Sequence, residues 1–219
     1  MNTTNNTTQF NVLTILLLRP DALQCWIDNA KKIEKSLTYK NNEIVYFCEK
    51  VSSEGGKFAK EARARQEAIE KFLKPHHTHV FWIDTDVVEY PNNIIEQLLH
   101  LDCKNCISPF VFLEDNQWWQ FKRFYDISCF ITKEGKDFYF APPYSDDDVS
   151  EKSEVKSIGT CILLNADIYR YGCKYDPFDE RNEHIPFFEQ VLKNGYKVYA
   201  TPKIEIKHAF LPKYGVNFR

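Results

Sequence analysis

The stretch Thr78–Tyr90, THVFWIDTDVVEY, constrains the fold more than any other part of the chain. Val80, Phe81, Trp82 and Ile83 are apolar, β-branched or aromatic, and too few for an independent helix, so they read as a buried strand. Asp84 and Asp86 fall where that strand ends. In extended chain, residues i and i+2 point to the same side, so both carboxylates can face one cleft and share one hard cation through oxygen. Open α/β sheets bind ligands outside the carboxyl ends of their strands, which is where this pair sits. A lone D-x-D is more often a solvated strand cap. Four apolar residues before this one, with neither a basic neighbour nor a turn glycine beside it, move the balance towards a metal. Pro91 then suits the first turn of a helix whose apolar positions are Ile94, Ile95, Leu98 and Leu99.

Upstream, Val12–Leu18 reads as a central strand buried on both faces, broken at Arg19-Pro20-Asp21. A helix over 22–37 and a strand over 43–48 complete a β-α-β opening, and Gly55-Gly56 closes a loop. No glycine-rich phosphate loop is present, so bound phosphates would be met by metal and basic side chains. In the helix predicted over 57–74, Phe58, Ala62, Ile69 and Phe72 form one stripe with Arg65 in its middle, while Arg63 points away. A guanidinium facing a core needs an anionic partner. An internal carboxylate and the diphosphate of a ligand satisfy that need equally well.

Downstream, strands are predicted over 107–113 and 126–132, flanking the aromatic cluster Trp118, Trp119, Phe121, Phe124 and Tyr125. Such a cluster is more often core or interface than a carbohydrate platform. Residues 133–156, with Asp146, Asp147 and Asp148, read as a loop that is either plain surface or a lid. A buried strand over 157–164 contains Gly159, which suggests close approach of backbone or ligand. A helix over 183–194 stops at Gly195, and the last strands span 196–200 and 204–207, with His208 just past the end.

Length fits one substantial core, so residues 10–219 are expected to form a single domain behind a disordered arm at 1–9. A net charge of −3 gives no electrostatic footprint for nucleic acid. Seven cysteines, an odd number, with no signal peptide ahead of the first apolar run, favour a reducing, cytoplasmic setting. Cys103 and Cys106 read as free thiols, the N-x-T triplets of the arm carry little weight without secretion, and Val12–Leu18 is too short to span a bilayer.

Four segments, EARARQEAI (61–69), FWIDTDVVEYP (81–91), IGTCILLNADIYRYG (158–172) and EHIPFFEQVLKNGYKVYATPKIEIKHAF (183–210), together make the chain resemble GT-A nucleotide-sugar glycosyltransferases. More narrowly it is similar to the fungal mannan α-mannosyltransferase family and related chlorovirus glycosyltransferases. The resemblance implies a single Rossmann-like α/β domain with a mostly parallel central sheet flanked by helices. It implies Mn²⁺ or Mg²⁺ on Asp86 and His208, with Asp84 on the ribose or a metal-bound water. Arg65 would contact the donor diphosphate, Arg19 and Thr85 would join the donor site, and Gly159 and Thr160 would lie beside the donor sugar. Glu183 and His184 stand where many GT-A enzymes carry a catalytic acidic pair, with His184 replacing the second acid. The fungal proteins carry a membrane anchor, and this sequence shows none, so the expected setting is the cytoplasm, that of a host cell if the chain is viral.

The activity so implied is metal-dependent transfer of a sugar, with retention, from a nucleotide donor to a glycan or glycoprotein acceptor, UDP-sugar being favoured over GDP-sugar. A cation and an arginine would stabilise the departing diphosphate, and a carboxylate the oxocarbenium-like centre. Two alternatives stand beside it. DTDVV also satisfies the D-x-D-x-[TV] pattern of haloacid-dehalogenase-type phosphatases, but those place the motif on an early strand and follow it with lysine and then acids at later strand ends, an order this chain lacks. A catalytically silent sugar-nucleotide or glycan-binding module would use the same pocket without turnover.

Overall fold

The computed structural model describes residues 9–19, 22, 24–48, 55–114, 125, 131–132 and 151–209. Their elements are β1 (Val12–Leu18), α1 (Gln24–Ser36), β2 (Asn42–Cys48), α2 (Lys57–Phe72), β3 (His79–Ile83), β4 (Val87–Glu89) and α3 (Ile94–Leu101). There follow β5 (Cys106–Leu113), β6 (Ile131–Thr132), β7 (Ser153–Ser157), β8 (Cys161–Asn165), α4 (Asp167–Arg170), α5 (His184–Lys193) and β9 (Val198–His208). One sheet takes all nine strands in the order β2-β1-β3-β8-β5-β9-β7-β6, with β4 alongside β9.

Direction matters more than order. β2 and β3 run parallel to β1, β8 runs against both β3 and β5, and β9 runs parallel to β5. Five strands, β2, β1, β3, β5 and β9, therefore point the same way and end at one edge, and the antiparallel β8 begins there. The α/β architecture with a mostly parallel centre and helices on both faces is as the sequence implies.

Pleating divides the core into two layers. Val80 and Trp82 of β3 pack with Ala62, Ala64, Ala68 and Ile69 of α2 and with Phe187 and Phe188 of α5. Phe81 and Ile83 face the other way, onto Ala30 and Ile33 of α1 and Ile94, Ile95, Leu98 and Leu99 of α3. A strand buried on both faces can be apolar without alternation, which is why four consecutive large residues are tolerated in β3.

Three stretches differ from the sequence reading by more than two residues at an element's end, and β4 and α4 are elements that reading does not contain. The strand expected over 157–164 is two strands, since Ile158–Thr160 turn the chain between β7 and β8. β7 also takes residues from the end of the expected loop over 133–156, whose residues 133–150 lie outside the described ones. The two strands expected over 196–207 are one, because β9 continues past Pro202: its register on β5 jumps from Thr201 to Glu205, a bulge that absorbs the proline. Of the strand expected over 126–132 only Ile131 and Thr132 are described, and Trp118, Trp119, Phe121, Phe124 and the arm up to Thr8 lie outside.

Candidate functional site

The common edge gathers side chains from distant parts of the sequence. Asp84 to Asp86 follow β3, Arg19 follows β1, Thr160 precedes β8 and His208 closes β9. Asp84 and Asp86 are not held by strand alternation, as the sequence suggests, but by a turn in which Val87 N–H donates to Asp84 C=O at 3.1 Å. Asn29 of α1 braces that turn, its Nδ2 donating to the carbonyls of Thr85 (2.8 Å) and Val87 (2.7 Å). Thr85 is itself buried, its hydroxyl 3.5 Å from Leu17 C=O at the end of β1.

Thr160 is the one non-glycine with positive φ among the described residues, at 56°. Cys161 N–H closes the turn onto Gly159 C=O at 2.6 Å, and Thr160 C=O accepts the Asp84 N–H at 3.0 Å. A β-branched residue in this region is strained, and such strain clusters where function over-determines geometry.

Behind the turn lies a buried charge cluster. Arg65 projects from the inner face of α2 and is 4% exposed, whereas Arg63 is only partly buried. Its Nη2 is 3.3 Å from Asp84 Oδ1, its Nε 3.4 Å from Glu183 Oε1, and its guanidinium carbon 5.0 Å from the centre of the Trp82 ring. Of the two partners the sequence left open, the internal carboxylate is present. His184 Nε2 also lies 3.2 Å from Glu183 Oε1. Burial opposes ionisation of Glu183, yet His184 and Arg65 hold its carboxyl below the usual range. Burial, reinforced by Arg65, drives the His184 imidazole down to about 4, so it is neutral at physiological pH. Two buried side-chain atoms of this cluster, His184 Nδ1 and Glu183 Oε2, have no hydrogen-bond partner among the described residues. Groups of this kind await a partner.

Asp86 and His208 form the other half, Oδ2 to Nε2 at 3.0 Å, with His208 1% exposed. His208 Nδ1 donates to Ala209 C=O at 2.9 Å, and its ring stacks on Tyr125 at 3.6 Å and 14°. Burial depresses the imidazole, but Asp86 outweighs it and raises His208 to about 9. The carboxyl of Asp86 is held low against its burial by His208. Asp84 moves the other way, up to about 6, because burial and Asp86 outweigh Arg65.

These residues fit a divalent cation. With Nδ1 fixed as a donor to a carbonyl, Nε2 is aimed at Asp86, and a cation taking the place of the shared proton would meet a neutral imidazole already oriented by its backbone bond, as metal-ligating histidines commonly are. Among the described residues the cluster with three ligand atoms mutually within 4.8 Å is elsewhere, at Glu43, His76 and His77. Asp84 therefore does not join Asp86 and His208 as a third converging ligand. The Glu43 cluster fits a cation poorly, since His77 Nδ1 accepts from Lys74 N–H at 3.0 Å and so keeps its proton on Nε2, while Lys74 Nζ already holds Glu43 at 2.6 Å.

Sequence reasoning missed Glu61. It lies one turn before Arg65 on α2, and burial, then Glu183, raise its carboxyl to about 7. Its i, i+4 relation to Arg65 was the available signal. Tyr175 was missed too; its buried ring stacks on Phe187 at 4.3 Å and lies 6.1 Å from the His184 ring. Lys152, a lysine the phosphatase alternative could have used, is committed to Asp102 Oδ2 (2.6 Å) and Leu101 C=O (2.9 Å) on α3.

Comparison with known proteins bears on the fold and on the family resemblance. The family model Anp1 matches residues 49–138. The chain is 26% identical over 239 residues to the mannan polymerase II complex anp1 subunit of Schizosaccharomyces pombe, covering 94% of this chain and 55% of that protein. It is 27% identical over 179 residues to the mannan polymerase II complex ANP1 subunit of Saccharomyces cerevisiae, covering 69% of this chain and 35% of the relative. The chain thus spans about half, or less, of the length of these relatives. A crystal structure of GalNAc-T7 with UDP, GalNAc and Mn²⁺ superposes with a TM-score of 0.60 at 12% identity, over 94% of this chain and 45% of that one. The fold is GT-A, and the resemblance to GT-A nucleotide-sugar glycosyltransferases holds.

Proposed function

We propose that the chain is a metal-dependent glycosyltransferase that takes a sugar from a nucleoside-diphosphate donor, UDP-sugar before GDP-sugar, and passes it with retention to a glycan acceptor. One observation carries the reading: the ends of β3 and β9, the inner face of α2 and the start of α5 bring Asp84, Asp86, His208, Arg65 and Glu183 together at one edge of a GT-A sheet. The relatives' names, mannan polymerase subunits, favour a mannose-containing glycan as acceptor.

Asp86 and His208 would hold Mn²⁺ or Mg²⁺, which supplies charge neutralisation for the departing diphosphate. Arg65 fixes Asp84 and Glu183 through Nη2 and Nε, which leaves Nη1 for a phosphate oxygen. Asp84 faces the ribose, with Arg19, Thr85, Gly159 and Thr160 along the same edge. Glu183, ionised and buried, stabilises positive charge at the anomeric carbon. Its Oε2 and His184 Nδ1 have no partner among the described residues, and both suit sugar hydroxyls, which donate and accept.

The test is release of UDP or GDP from a panel of nucleotide sugars with Mn²⁺, with and without α-manno-oligosaccharides. Acceptor-stimulated release that Asp86→Asn abolishes supports the reading. Nucleotide binding without release from any donor would instead leave a silent binding module, the role open to a subunit of a larger complex.

A further inference from the structure

Phe178 is 87% exposed, the most exposed large apolar side chain among the described residues. Single exposed apolar residues are ordinary on protein surfaces. This one differs in how it is held. Its N–H donates to Asp176 Oδ1 at 2.9 Å, and the next turn is locked by Arg181, whose N–H binds Asp179 Oδ1 at 2.9 Å. The Arg181 guanidinium then grips both oxygens of Asp179 and both of Glu189 on α5 (2.7 to 3.3 Å). The loop is braced while its ring stands in water.

That loop connects two parts of the site. Tyr175, three residues earlier, is packed beside His184, and Glu183 is five residues later. At about 3.5 Å of chain per residue, the Phe178 backbone lies within about 11 Å of Tyr175 and about 18 Å of Glu183. Glu183 Oε2 and His184 Nδ1, without a hydrogen-bond partner among the described residues, are an independent sign that a hydroxyl-bearing ligand belongs at that end of the loop.

We propose that Phe178 is an aromatic platform for the acceptor, stacking under a sugar unit a few positions back from the hydroxyl that reacts. The inference rests on the glycosyltransferase reading for the identity of the acceptor as a glycan. Charge excludes an anionic one: Asp176, Asp179 and Glu180 flank Phe178 in sequence, and the nearest cation in sequence, Arg181, is paired with Asp179 and Glu189. An anionic lipid surface or a polyanion would be repelled. The apolar face of a pyranose, by contrast, covers an aromatic ring with no charge to satisfy.

The experiment compares wild type, Phe178→Ala and Phe178→Trp with α-linked manno-oligosaccharides of one to four units, by saturation-transfer NMR titration and by acceptor KM. Phe178→Ala should weaken the tetrasaccharide about tenfold, leave mannose and donor KM unchanged, and keep the wild-type Tm. Phe178→Trp should restore tetrasaccharide binding. Equal tetrasaccharide affinity in wild type and Phe178→Ala overturns the platform, as does an equal loss for mannose. A lowered Tm in Phe178→Ala overturns it by showing that the ring packs on protein. Absence of nucleoside diphosphate release from every donor refutes the enzymatic reading instead, and the NMR arm still decides the platform; wild type that binds no tetrasaccharide overturns it.

Discussion

Replacing Arg65 by alanine removes the one cation shared by Asp84 and Glu183. Breaking a buried ion pair from one side costs about 3–5 kcal/mol, because the remaining charge stays buried without a partner. Here the low end applies. Both contacts are long, 3.3 and 3.4 Å, and the Asp84 side chain is 30% exposed, so water can replace the guanidinium there, whereas Glu183 at 4% has no such recourse. For a chain of this size about 3 kcal/mol lowers Tm by about 6–12 °C. The loss should depend on pH. Once Arg65 is gone, burial raises both carboxyls in the folded state, and an acid raised on folding carries no penalty below its unfolded value but a growing one above it. Thermal denaturation followed by circular dichroism should therefore show a larger gap between wild type and Arg65→Ala at pH 7.5 than at pH 5. Arg65→Met, which keeps the stem over Trp82, should recover little, and Arg63→Ala should cost less than either. A drop equal at both pH values, or a Tm within a degree or two of wild type, would refute the buried-pair account.

Three further outcomes follow from the same geometry. His208 is raised on folding from 6.5 to about 9, so its contribution is complete below about 6.5 and is lost as pH rises through 9; urea denaturation of metal-free protein should show that decline, and His208→Gln should flatten it. Glu61, raised from 4.5 to about 7, carries a penalty absent below 4.5 and complete above 7, so Glu61→Gln should raise Tm at pH 8 and leave it unchanged at pH 4.5. Asp86→Asn should leave the fold intact and weaken Mn²⁺-supported UDP binding at least about tenfold by calorimetry, one lost charge-assisted contact being worth that much or more; unchanged affinity would remove Asp86 from the metal site.

Elements whose apolar pattern decided their burial were legible in the sequence. β1 coincides with the predicted 12–18, and α2 carries Arg65 inward on the stripe expected of it. The misplaced boundaries share a cause: each depends on one backbone event that pattern does not encode. The positive φ of Thr160 breaks what reads as one strand into β7 and β8, and the bulge at Pro202 joins what reads as two strands into β9. Hydrophobic periodicity reports which face a residue takes, and it is silent on where a chain turns without glycine.

The site was legible as a set of residues and not as a balance of charge. Asp84, Asp86 and Arg65 could be named from motif and stripe, His208 from its strand end and Glu183 from the family resemblance, but which carboxylate each cation would meet depends on where β3, β8 and β9 end relative to one another. Glu61 shows what this leaves out. Reading along α2, it is an unremarkable acid one turn from an arginine. In the fold it becomes a fourth carboxylate beside Asp84, Asp86 and Glu183, against three cations, Lys57, Arg65 and protonated His208. The surplus of negative charge is why burial can lift Asp84 to about 6 and Glu61 to about 7 despite Arg65 nearby. A site left anionic in this way favours an entering cation over an entering diphosphate, so binding should be ordered: nucleotide affinity without Mn²⁺ should be weak and should rise on adding it, whereas Mn²⁺ should bind measurably alone. Calorimetry that found tight UDP binding in the presence of a chelator would show that Arg65 outweighs the carboxylates around it.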